Sequence, residues 1–204
     1  ERLAAIGELV AGIAHEIRNP LSGIAVALGL MKNEIQDTEH KQTIADILKE
    51  IDRLNRIIRD LLQYAQLAHP RELNLVETNP NEIVETVLGL MNSRAEEKGI
   101  QIEKKLNATE SFRVDTDQIK QVVMNLIING IDAMDGPGKL TVETQSADGY
   151  ILIKVSDTGH GLCEEAKERI FQPFYSTKSN GTGLGLPISR GIIEMHKGKI
   201  LVSS

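Results

Sequence analysis

The sequence is poor in cysteine, in aromatic residues and in long apolar runs. Its 204 residues include one cysteine, Cys163, no tryptophan, three tyrosines and three phenylalanines. A single cysteine cannot form an internal disulfide, which favours a reducing compartment. So few aromatic side chains argue against a base-stacking surface for single-stranded nucleic acid. No apolar run is long enough to span a bilayer, and no signal peptide opens the chain.

Acidic residues outnumber basic ones. The chain holds 29 Asp and Glu against 23 Lys and Arg, which gives a net charge of −6 and a sequence pI of about 5.4. This balance offers no attraction to nucleic acid or to an anionic membrane surface, so neither is predicted as a partner of this fragment. Hydrophobic residues at 41% and charged residues at 25% are typical of a soluble protein of one or two domains. Glu1 already lies inside a helical pattern, so we expect the chain to be a piece of a longer protein.

The first third of the chain has the apolar spacing of two long helices. Apolar residues recur every three or four positions from residue 3 to 35 and again from 44 to 68. The polar stretch from Gln36 to Gln42 predicts a turn between two antiparallel helices. A bend is expected at Pro20, because proline cannot donate to the carbonyl of Glu16.

Each of these helices has one narrow apolar stripe. A lone hairpin would leave part of that stripe exposed to water, whereas two hairpins paired as a four-helix bundle would cover it. The pattern therefore predicts a homodimer. The alternative is that the stripe packs on the rest of the same chain.

The rest of the chain mixes helical and strand-like patterns. His69-Pro70 ends the second helix, because the residue before proline avoids the α conformation, and a polar linker runs to about Asn79. The mixture predicts an α+β region with helices on one face of a mixed sheet. The expected elements are a helix from Pro80 towards Gly99, a strand over 100–106, a helix from about Asp115, a hairpin of strands 140–144 and 150–156, a short helix near 164–170, a helix from Leu184 to His196 and a strand over 199–202.

The first helix carries the motif His15-Glu-Ile-Arg-Asn-Pro20. His15 falls between the apolar positions Ile13 and Ile17, so it is predicted to point away from the buried stripe. A neutral imidazole is a good nucleophile, and a neighbouring carboxylate such as Glu16 can hold the required tautomer. Asn19 shares the face of His15 at the i+4 position. The competing interpretation is a solvated helix face with an incidental histidine.

Two further motifs place polar groups among apolar ones. Asn125 and Asn129 share one face of an apolar helix, where an amide oxygen could bind a magnesium ion, although a pair of amides that cap neighbouring loops would look the same. The motif Asp157-Thr-Gly-His-Gly161 follows a strand. Its aspartate could accept from the exocyclic amine of adenine beside two glycines, but Asp-x-Gly also marks ordinary turns.

A glycine-rich segment precedes the last predicted helix. Glycines at 181, 183 and 185 leave backbone N–H groups free at a helix start, where the helix dipole favours a phosphate, and Lys178 adds a positive charge. A flexible loop is the alternative. The spacing differs from that of the Rossmann motif, and the Gly-Lys-Ser/Thr of a P-loop is absent.

Together these motifs resemble those of two-component sensor histidine kinases, and the resemblance covers almost the entire chain. The matching segments are, in family order, the H box at His15–Pro20, the N box at Asn125–Asn129, the G1 box at Asp157–Gly161, the F box at Phe171–Phe174 and the G2 box at Gly181–Gly185. The H box and the Asn-Gly-Ile-Asp-Ala-Met after the N box are similar to those of nitrogen- and metal-responsive sensors.

The resemblance implies a two-part fold. Residues 1–69 would form the dimerisation and histidine-phosphotransfer hairpin, and 70–77 a linker. Residues 78–204 would form an ATP-binding α/β sandwich of the kind shared with gyrase, Hsp90 and MutL. The family's domain continues past the final strand predicted here, so this strand could be truncated. The implied location is cytoplasmic, either free or as the cytoplasmic part of a membrane-anchored sensor.

The resemblance also implies a role for each matching residue. His15 would accept the γ-phosphoryl group of ATP, with Glu16 as its activating carboxylate, and would pass it to an aspartate of a response-regulator receiver domain. Asn129 would bind Mg²⁺. Asn19 would orient water when the kinase dephosphorylates its partner. The remaining nucleotide contacts would come from Asn125, Asp157, Gly159, Gly161, Lys178, Gly181, Thr182, Gly183, Leu184 and Gly185.

Two rival functions stay open on sequence alone. One is a regulatory ATP-binding dimer or a phosphatase without kinase turnover; the other is an ATP-driven clamp of the Hsp90 or gyrase type. The other histidines have structural interpretations, such as His196 at a helix C-terminus, where a cation suits the dipole.

Overall fold

The computed structural model describes the backbone of residues 2–67, 72–178 and 181–204, with side chains from residue 17 onward within those ranges. The chain divides into two compact units. Unit 1 comprises residues 1–71 and 172–188, and unit 2 comprises residues 72–171 and 189–204. Among the described helices, none is both long and apolar enough to cross a membrane.

Unit 1 is built on an antiparallel pair of helices, α1 (Arg2–Glu34) and α2 (Thr38–Gln66). The predicted hairpin is confirmed, but the predicted turn from Gln36 to Gln42 is too long. Asp37 is the N-cap of α2, and its carboxylate accepts from the backbone N–H of His40 at 3.0 Å, so the helix starts inside the polar stretch. α1 is continuous through Pro20. The predicted end of α2 at His69 lies outside the described residues.

The two helices pack through a seven-residue repeat. On α2 the buried side chains are Ile44, Ile51, Ile58 and Ala65, each one heptad apart. This spacing keeps one face of α2 against α1, as in coiled-coil packing.

Unit 2 contains the α/β part of the chain. Its elements are β1 (Val76–Thr78), α3 (Pro80–Glu97), β2 (Ile100–Leu106), β3 (Phe112–Val114), α4 (Thr116–Asp132), β4 (Gly138–Ala147), β5 (Tyr150–Asp157) and α5 (Glu164–Arg169), and α6 (Gly185–Met195) begins in unit 1 and ends here.

The main sheet is mixed, as the sequence predicts. Its order is β2-β4-β5, with β2 parallel to β4 and β4 antiparallel to β5. Helices α3 and α4 both contact this sheet. Alternate residues of β4, namely Leu140, Val142 and Thr144, are fully buried, while the two residues between them are half-buried. Unit 2 therefore has its core between the helices and one face of the sheet.

A second, two-stranded sheet was not predicted. β1 pairs antiparallel with β3 in the register Val76↔Val114 and Thr78↔Phe112. The linker predicted for residues 70–77 thus contains the start of a strand. Three-residue strands carry too little alternation to be recognised locally, and their pairing becomes visible only when both are in place.

The predicted helix starts are confirmed by their caps. Asn79 accepts from the N–H of Asn81 at 2.9 Å and begins α3 at Pro80. Asp115 accepts from the N–H of Gln118 at 3.2 Å and begins α4. Both side chains satisfy a backbone donor that a helix start leaves unpaired.

His196 has a different role from the one expected. The N–H of Asp115 donates to its Nε2 at 3.0 Å, and its Nδ1 lies 2.8 Å from the carbonyl oxygen of Ile192. A carbonyl can only accept, so the proton is on Nδ1 and Nε2 offers its lone pair. His196 thus links the end of α6 to the N-cap residue of α4, a contact that its position at a helix end did not indicate.

The strand predicted over residues 199–202 does not form in the described segment 181–204. Ile200 is half-buried, but Leu201 is 89% exposed. Alternating sequence alone does not make a strand, because a strand needs a neighbour to satisfy its backbone groups. Here Ser204 instead accepts from the N–H of Leu162 through its hydroxyl at 2.7 Å.

Candidate active site

The predicted phosphoacceptor lies on α1. The helical backbone includes His15 and Glu16, whose side-chain orientation lies outside what the structure describes. One turn further on, Asn19 is exposed and Arg18 is half-buried. The motif thus lies in a helix of the hairpin, with an accessible amide at the i+4 position.

The two asparagines of the N box lie on α4, and both are half-buried. The Nδ2 of Asn125 donates to the hydroxyl of Ser189, 3.3 Å away, and Ser189 is itself fully buried. Asn129 also has a hydrogen-bonded or electrostatic partner. The structure therefore meets the need of a half-buried amide for partners, and it adds Ser189, a polar residue that the sequence reasoning missed.

Asp157 ends β5, and its side chain is exposed. Its Oδ1 accepts from the backbone N–H of Gly159 at 2.9 Å, which closes a tight turn after the strand. The N–H of His160 donates to the carbonyl oxygen of Ala133 at 3.2 Å, so this turn is attached to the end of α4. An aspartate held in this way keeps its second oxygen in a defined place, where it can accept from an amine.

The G1 turn and α4 are so close that side chains are excluded between them. A Cβ on Gly159 would overlap the carbonyl oxygen of Ala133. A Cβ on Gly130, which follows Asn129 in α4, would lie 2.7 Å from Cδ1 of Leu140 and 3.4 Å from Cβ of Asp157. Unit 2 thus brings the end of the N box against the G1 aspartate.

The glycine-rich segment, residues 181–185, leads into α6 within unit 1. Gly181 is exposed, whereas Leu184 is fully buried and anchors the helix start. The carbonyl of Gly183, a residue with φ of +67°, accepts from the N–H of Phe174 at 3.1 Å. The N–H of Leu184 donates to the hydroxyl of Thr182 at 3.3 Å. Lys178 is half-buried and has a partner of its own.

The predicted site residues are thus divided between the two units. Unit 2 holds Asn125, Asn129, Asp157, Gly159 and Gly161, and unit 1 holds the H box, Lys178 and the glycine-rich segment.

The hydroxyl of Thr182 makes a contact that no motif indicates. It donates to Oδ2 of Asp60 on α2 at 2.7 Å, across 122 residues of sequence. Burial raises the pKa of Asp60, an effect that is opposed by the hydrogen bond from Thr182 and by the charges of Arg56 and Arg59. No sequence pattern singles out Asp60, because it lies on the polar side of an amphipathic helix.

A helical hairpin with a histidine motif, joined to an α/β unit with clustered asparagines, aspartate and glycines, defines a phosphotransfer module linked to a nucleotide-binding module. The family model "His Kinase A (phospho-acceptor) domain" matches residues 5–70, and the model "Histidine kinase-, DNA gyrase B-, and HSP90-like ATPase" matches residues 114–204. The chain belongs to the two-component sensor histidine kinases and carries the catalytic core of that family.

Curated relatives match along the whole chain. It is 36% identical over 206 residues to the signal transduction histidine-protein kinase AtoS of Escherichia coli K12, and the match covers 100% of this chain and 33% of AtoS. It is 40% identical over 210 residues to the sensor histidine kinase ZraS of Salmonella typhi, again over 100% of this chain and 44% of ZraS. The chain therefore spans less than half the length of these relatives.

Solved structures share the fold. Full-length ShkA in complex with AMPPNP matches with a TM-score of 0.78 and 28% identity over 92% of this chain and 40% of ShkA. The histidine kinase ThkA in complex with the response regulator TrrA matches with a TM-score of 0.70 and 34% identity over 98% of this chain and 58% of that one. The isolated catalytic domain of ThkA matches with a TM-score of 0.57 and 34% identity over 60% of this chain and 81% of that domain.

Proposed function

We propose that this chain is a protein-histidine kinase core that transfers the γ-phosphoryl group of ATP to His15 and then to an aspartate of a response-regulator receiver domain. The observation that carries the proposal is that one chain holds both modules. The H box lies on α1, and the asparagines and aspartate of the nucleotide site converge in unit 2. ShkA, a relative of known structure, was solved with the ATP analogue AMPPNP, and ThkA with a response regulator.

The chemistry asks mainly for positioning and charge stabilisation. A neutral ring nitrogen of His15 attacks the γ-phosphorus, the bond from that phosphorus to the β–γ bridging oxygen breaks, and ADP leaves. Glu16, next in sequence, accepts a hydrogen bond from the other ring nitrogen and stabilises the charge that develops. In the second transfer the P–N bond breaks and a P–O bond to the receiver's aspartate forms.

The nucleotide is held from several directions in this proposal. Asp157, fixed by its bond to the N–H of Gly159, accepts from the adenine amine, and Gly159 and Gly161 shape the backbone of that pocket. Asn125 lies beside the phosphates. The phosphates also receive backbone N–H groups from the glycine-rich segment and the charge of Lys178.

Magnesium fits the residues that are present. In the part of the chain that the structure describes, no group of three His, Cys, Asp or Glu side chains could hold a metal alone. Mg²⁺ commonly takes one or two protein oxygens, with phosphate and water completing its octahedron, and the Asn129 amide oxygen could supply such a ligand. When bound, the ion would neutralise the charge on the phosphates.

Labelling with γ-³²P-ATP tests the kinase proposal. The wild-type protein should acquire an acid-labile, base-stable label, and His15→Ala should lose it. His40→Ala, which changes an exposed histidine at the start of α2, is the matched control and should label normally. ATP hydrolysis without protein labelling would contradict the proposal and favour an ATP-driven clamp.

We propose a homodimer as the working form. The packing of α1 on α2 leaves a second apolar heptad stripe uncovered, with Ile24 at 49% and Leu54 at 39% exposure. Ile17, Met31 and Ile47, which are also exposed, continue this stripe. Two such stripes, one from each hairpin, would bury each other in a four-helix bundle. The family model that matches residues 5–70 is that of the phosphoacceptor domain.

A phosphatase activity towards the phosphorylated receiver is the finer part of the proposal. Asn19 is exposed one turn after His15, where its amide could orient water towards an aspartyl phosphate. Asn19→Ala should lower the rate of receiver dephosphorylation by about 10-fold or more while autophosphorylation continues. Full phosphatase activity in this variant would remove that role from Asn19.

We propose a cytoplasmic location for this core.

A further inference from the structure

Asp60 lies outside every motif, yet it bonds to a residue of the glycine-rich segment. The hydroxyl of Thr182 donates to Asp60 Oδ2 at 2.7 Å and at the same time accepts from the N–H of Leu184 at 3.3 Å. Both bonds are within unit 1. One hydroxyl therefore joins a carboxylate on α2 to a backbone donor at the start of α6.

In this arrangement the N–H of Leu184, which would bind phosphate in the proposed function, already has a partner. N–H groups at a helix start bind phosphate because they lack partners within the helix. Here the N–H of Leu184 is already bonded to the hydroxyl of Thr182, and that hydroxyl has its own proton directed at Asp60. A phosphate oxygen that takes this N–H must displace Thr182 from Leu184.

The surroundings of Asp60 strengthen its hydrogen bond to Thr182. The carboxylate is half-buried, and burial raises its pKa, so it has lost part of its hydration. A half-buried carboxylate is stabilised by each remaining hydrogen-bond donor, and hydrogen bonds to charged acceptors are stronger than neutral ones. Arg56 and Arg59 favour the ionised form from the same helix.

We propose that Asp60 is a regulatory residue that holds Thr182, and with it the glycine-rich segment, in a docked state that competes with nucleotide. The proposal rests on the nucleotide site described above. The apparent affinity for nucleotide is reduced by the fraction of molecules in the docked state, so removing the contact raises that affinity without adding any contact to the ligand.

Two variants of Asp60 test the proposal, with Mg·AMPPNP titrated into the whole chain by calorimetry. Asp60→Ala removes the acceptor and is expected to bind about 3- to 10-fold more tightly than wild type, the loss of one charge-assisted hydrogen bond setting the scale. Asp60→Asn preserves size, weakens the acceptor and is expected to lie between the two. Asp52→Ala, which alters an exposed aspartate on the same helix, is the matched control and should leave the affinity unchanged.

A second measurement needs no nucleotide. Hydrogen exchange at the amide of Leu184 should be faster in Asp60→Ala than in wild type and in Asp52→Ala, because Thr182 is then free to rotate away. Unchanged or weaker AMPPNP binding by a folded Asp60→Ala, or unchanged exchange at Leu184, overturns the docked state. A wild-type chain that binds no AMPPNP at all would instead refute the nucleotide site, while the exchange result would still decide whether Asp60 holds the segment.

Discussion

The carbonyl oxygen of Ala133 lies where a side chain at position 159 would begin. At this point the backbone of the turn after β5 lies against the backbone at the end of α4, and the N–H of His160 donates to the same carbonyl. The residue at position 159 is therefore constrained by the space available, and not by a chemical role of its side chain. Sequence showed that glycine stands here, but the reason, contact with α4, required the fold.

A substitution at this contact should cost stability and nucleotide binding together. Gly159→Ala is expected to destabilise the protein by about 1–3 kcal/mol, because the added carbon forces the turn away from Ala133. Displacement of the turn also moves Asp157, so AMPPNP binding should weaken. Urea unfolding and calorimetry measure the two effects.

Gly136→Ala is the matched control for this prediction. A Cβ at Gly136 would meet nothing within 4 Å, and its φ is not in the left-handed region. This variant should unfold and bind like wild type. Equal stability of the two variants would show that the close approach at Ala133 does not constrain the turn.

Other individual residues show where sequence reasoning succeeds and fails. The helix starts at Pro80 and near Asp115 could be predicted because a helix start is set within a few residues of sequence, here by the side chains of Asn79 and Asp115. The bond from Thr182 to Asp60 could not, because the partner is 122 residues away on a polar helix face. The role of Ser189 could have been predicted in principle, because a hydroxyl inside an apolar helix must have a hydrogen-bond partner.

At the scale of elements, the exposed face of the main sheet carries a row of ion pairs that crosses its three strands. Nζ of Lys105 on β2 and Nζ of Lys154 on β5 lie 3.1 and 3.4 Å from the carboxylate of Glu143 on β4, and Lys139 pairs with Glu103 at 2.7 Å. The hydrogen bond from Lys105 holds the pKa of Glu143 below its usual value. These pairs link three neighbouring strands on the solvent side.

This row predicts a pH-dependent contribution to stability. A carboxyl whose pKa is lower in the folded state stabilises the protein above its unfolded pKa of about 4.5, and the stabilisation is lost as the pH falls through the folded value. Glu143→Gln should therefore lower the urea midpoint at pH 7, and the difference from wild type should vanish near pH 3 and shrink in about 1 M salt.

Glu85→Gln provides the comparison for the ion-pair row. Glu85 is an exposed carboxylate on α3 with no ion pair among the described residues. Its replacement should leave the urea midpoint nearly unchanged at both pH values. If Glu143→Gln also left the urea midpoint unchanged, the ion pairs would not contribute to the free energy of unfolding, which is common for exposed pairs.

The long elements and the short helix α5 were predictable, whereas the two three-residue strands were not. The helices of the hairpin and of unit 2 have apolar periods extending over several turns, and the β4–β5 hairpin has a turn at Asp148-Gly149. β1 and β3 have three residues each, so their pairing depends on tertiary position. The strand expected at 199–202 failed for the converse reason, because its pattern was present without a described neighbour.

On the scale of the whole molecule, the uncovered stripe of the hairpin predicts the oligomeric state. Leu54→Glu places a charge in the centre of that stripe and should convert a dimer to a monomer, because a buried unpaired carboxylate is costly. Light scattering after size exclusion gives the mass directly. A wild-type chain that is monomeric at high concentration would remove the dimer proposal.

Leu90→Glu is the control for the same experiment. Leu90 is 63% exposed on α3 in unit 2 and lies outside the stripe. This variant should keep the mass of wild type. Dissociation by Leu90→Glu but not by Leu54→Glu would place the interface elsewhere.

The helical hairpin and the α/β part followed from the sequence, whereas the placement of residues 172–188 could not be read from it. The sequence indicates a boundary in the linker near residue 70, but the structure groups residues 172–188 with the hairpin. That grouping arises from contacts such as the one between Thr182 and Asp60, which depend on how a long loop is placed. Local pattern has no information on such placement.

In the proposed nucleotide site, the lack of a side chain at position 130 would set the distance between two of the ligand contacts. Gly130 is wedged between Leu140 and Asp157, so the thickness of one backbone fixes the gap from α4 to the sheet. In the proposed site, Asn129 and Asp157 would contact opposite ends of one nucleotide. A larger residue at position 130 would widen this gap and move the two contacts apart. Position 130 would therefore influence which ligands fit, although glycine has no side chain that could bind them.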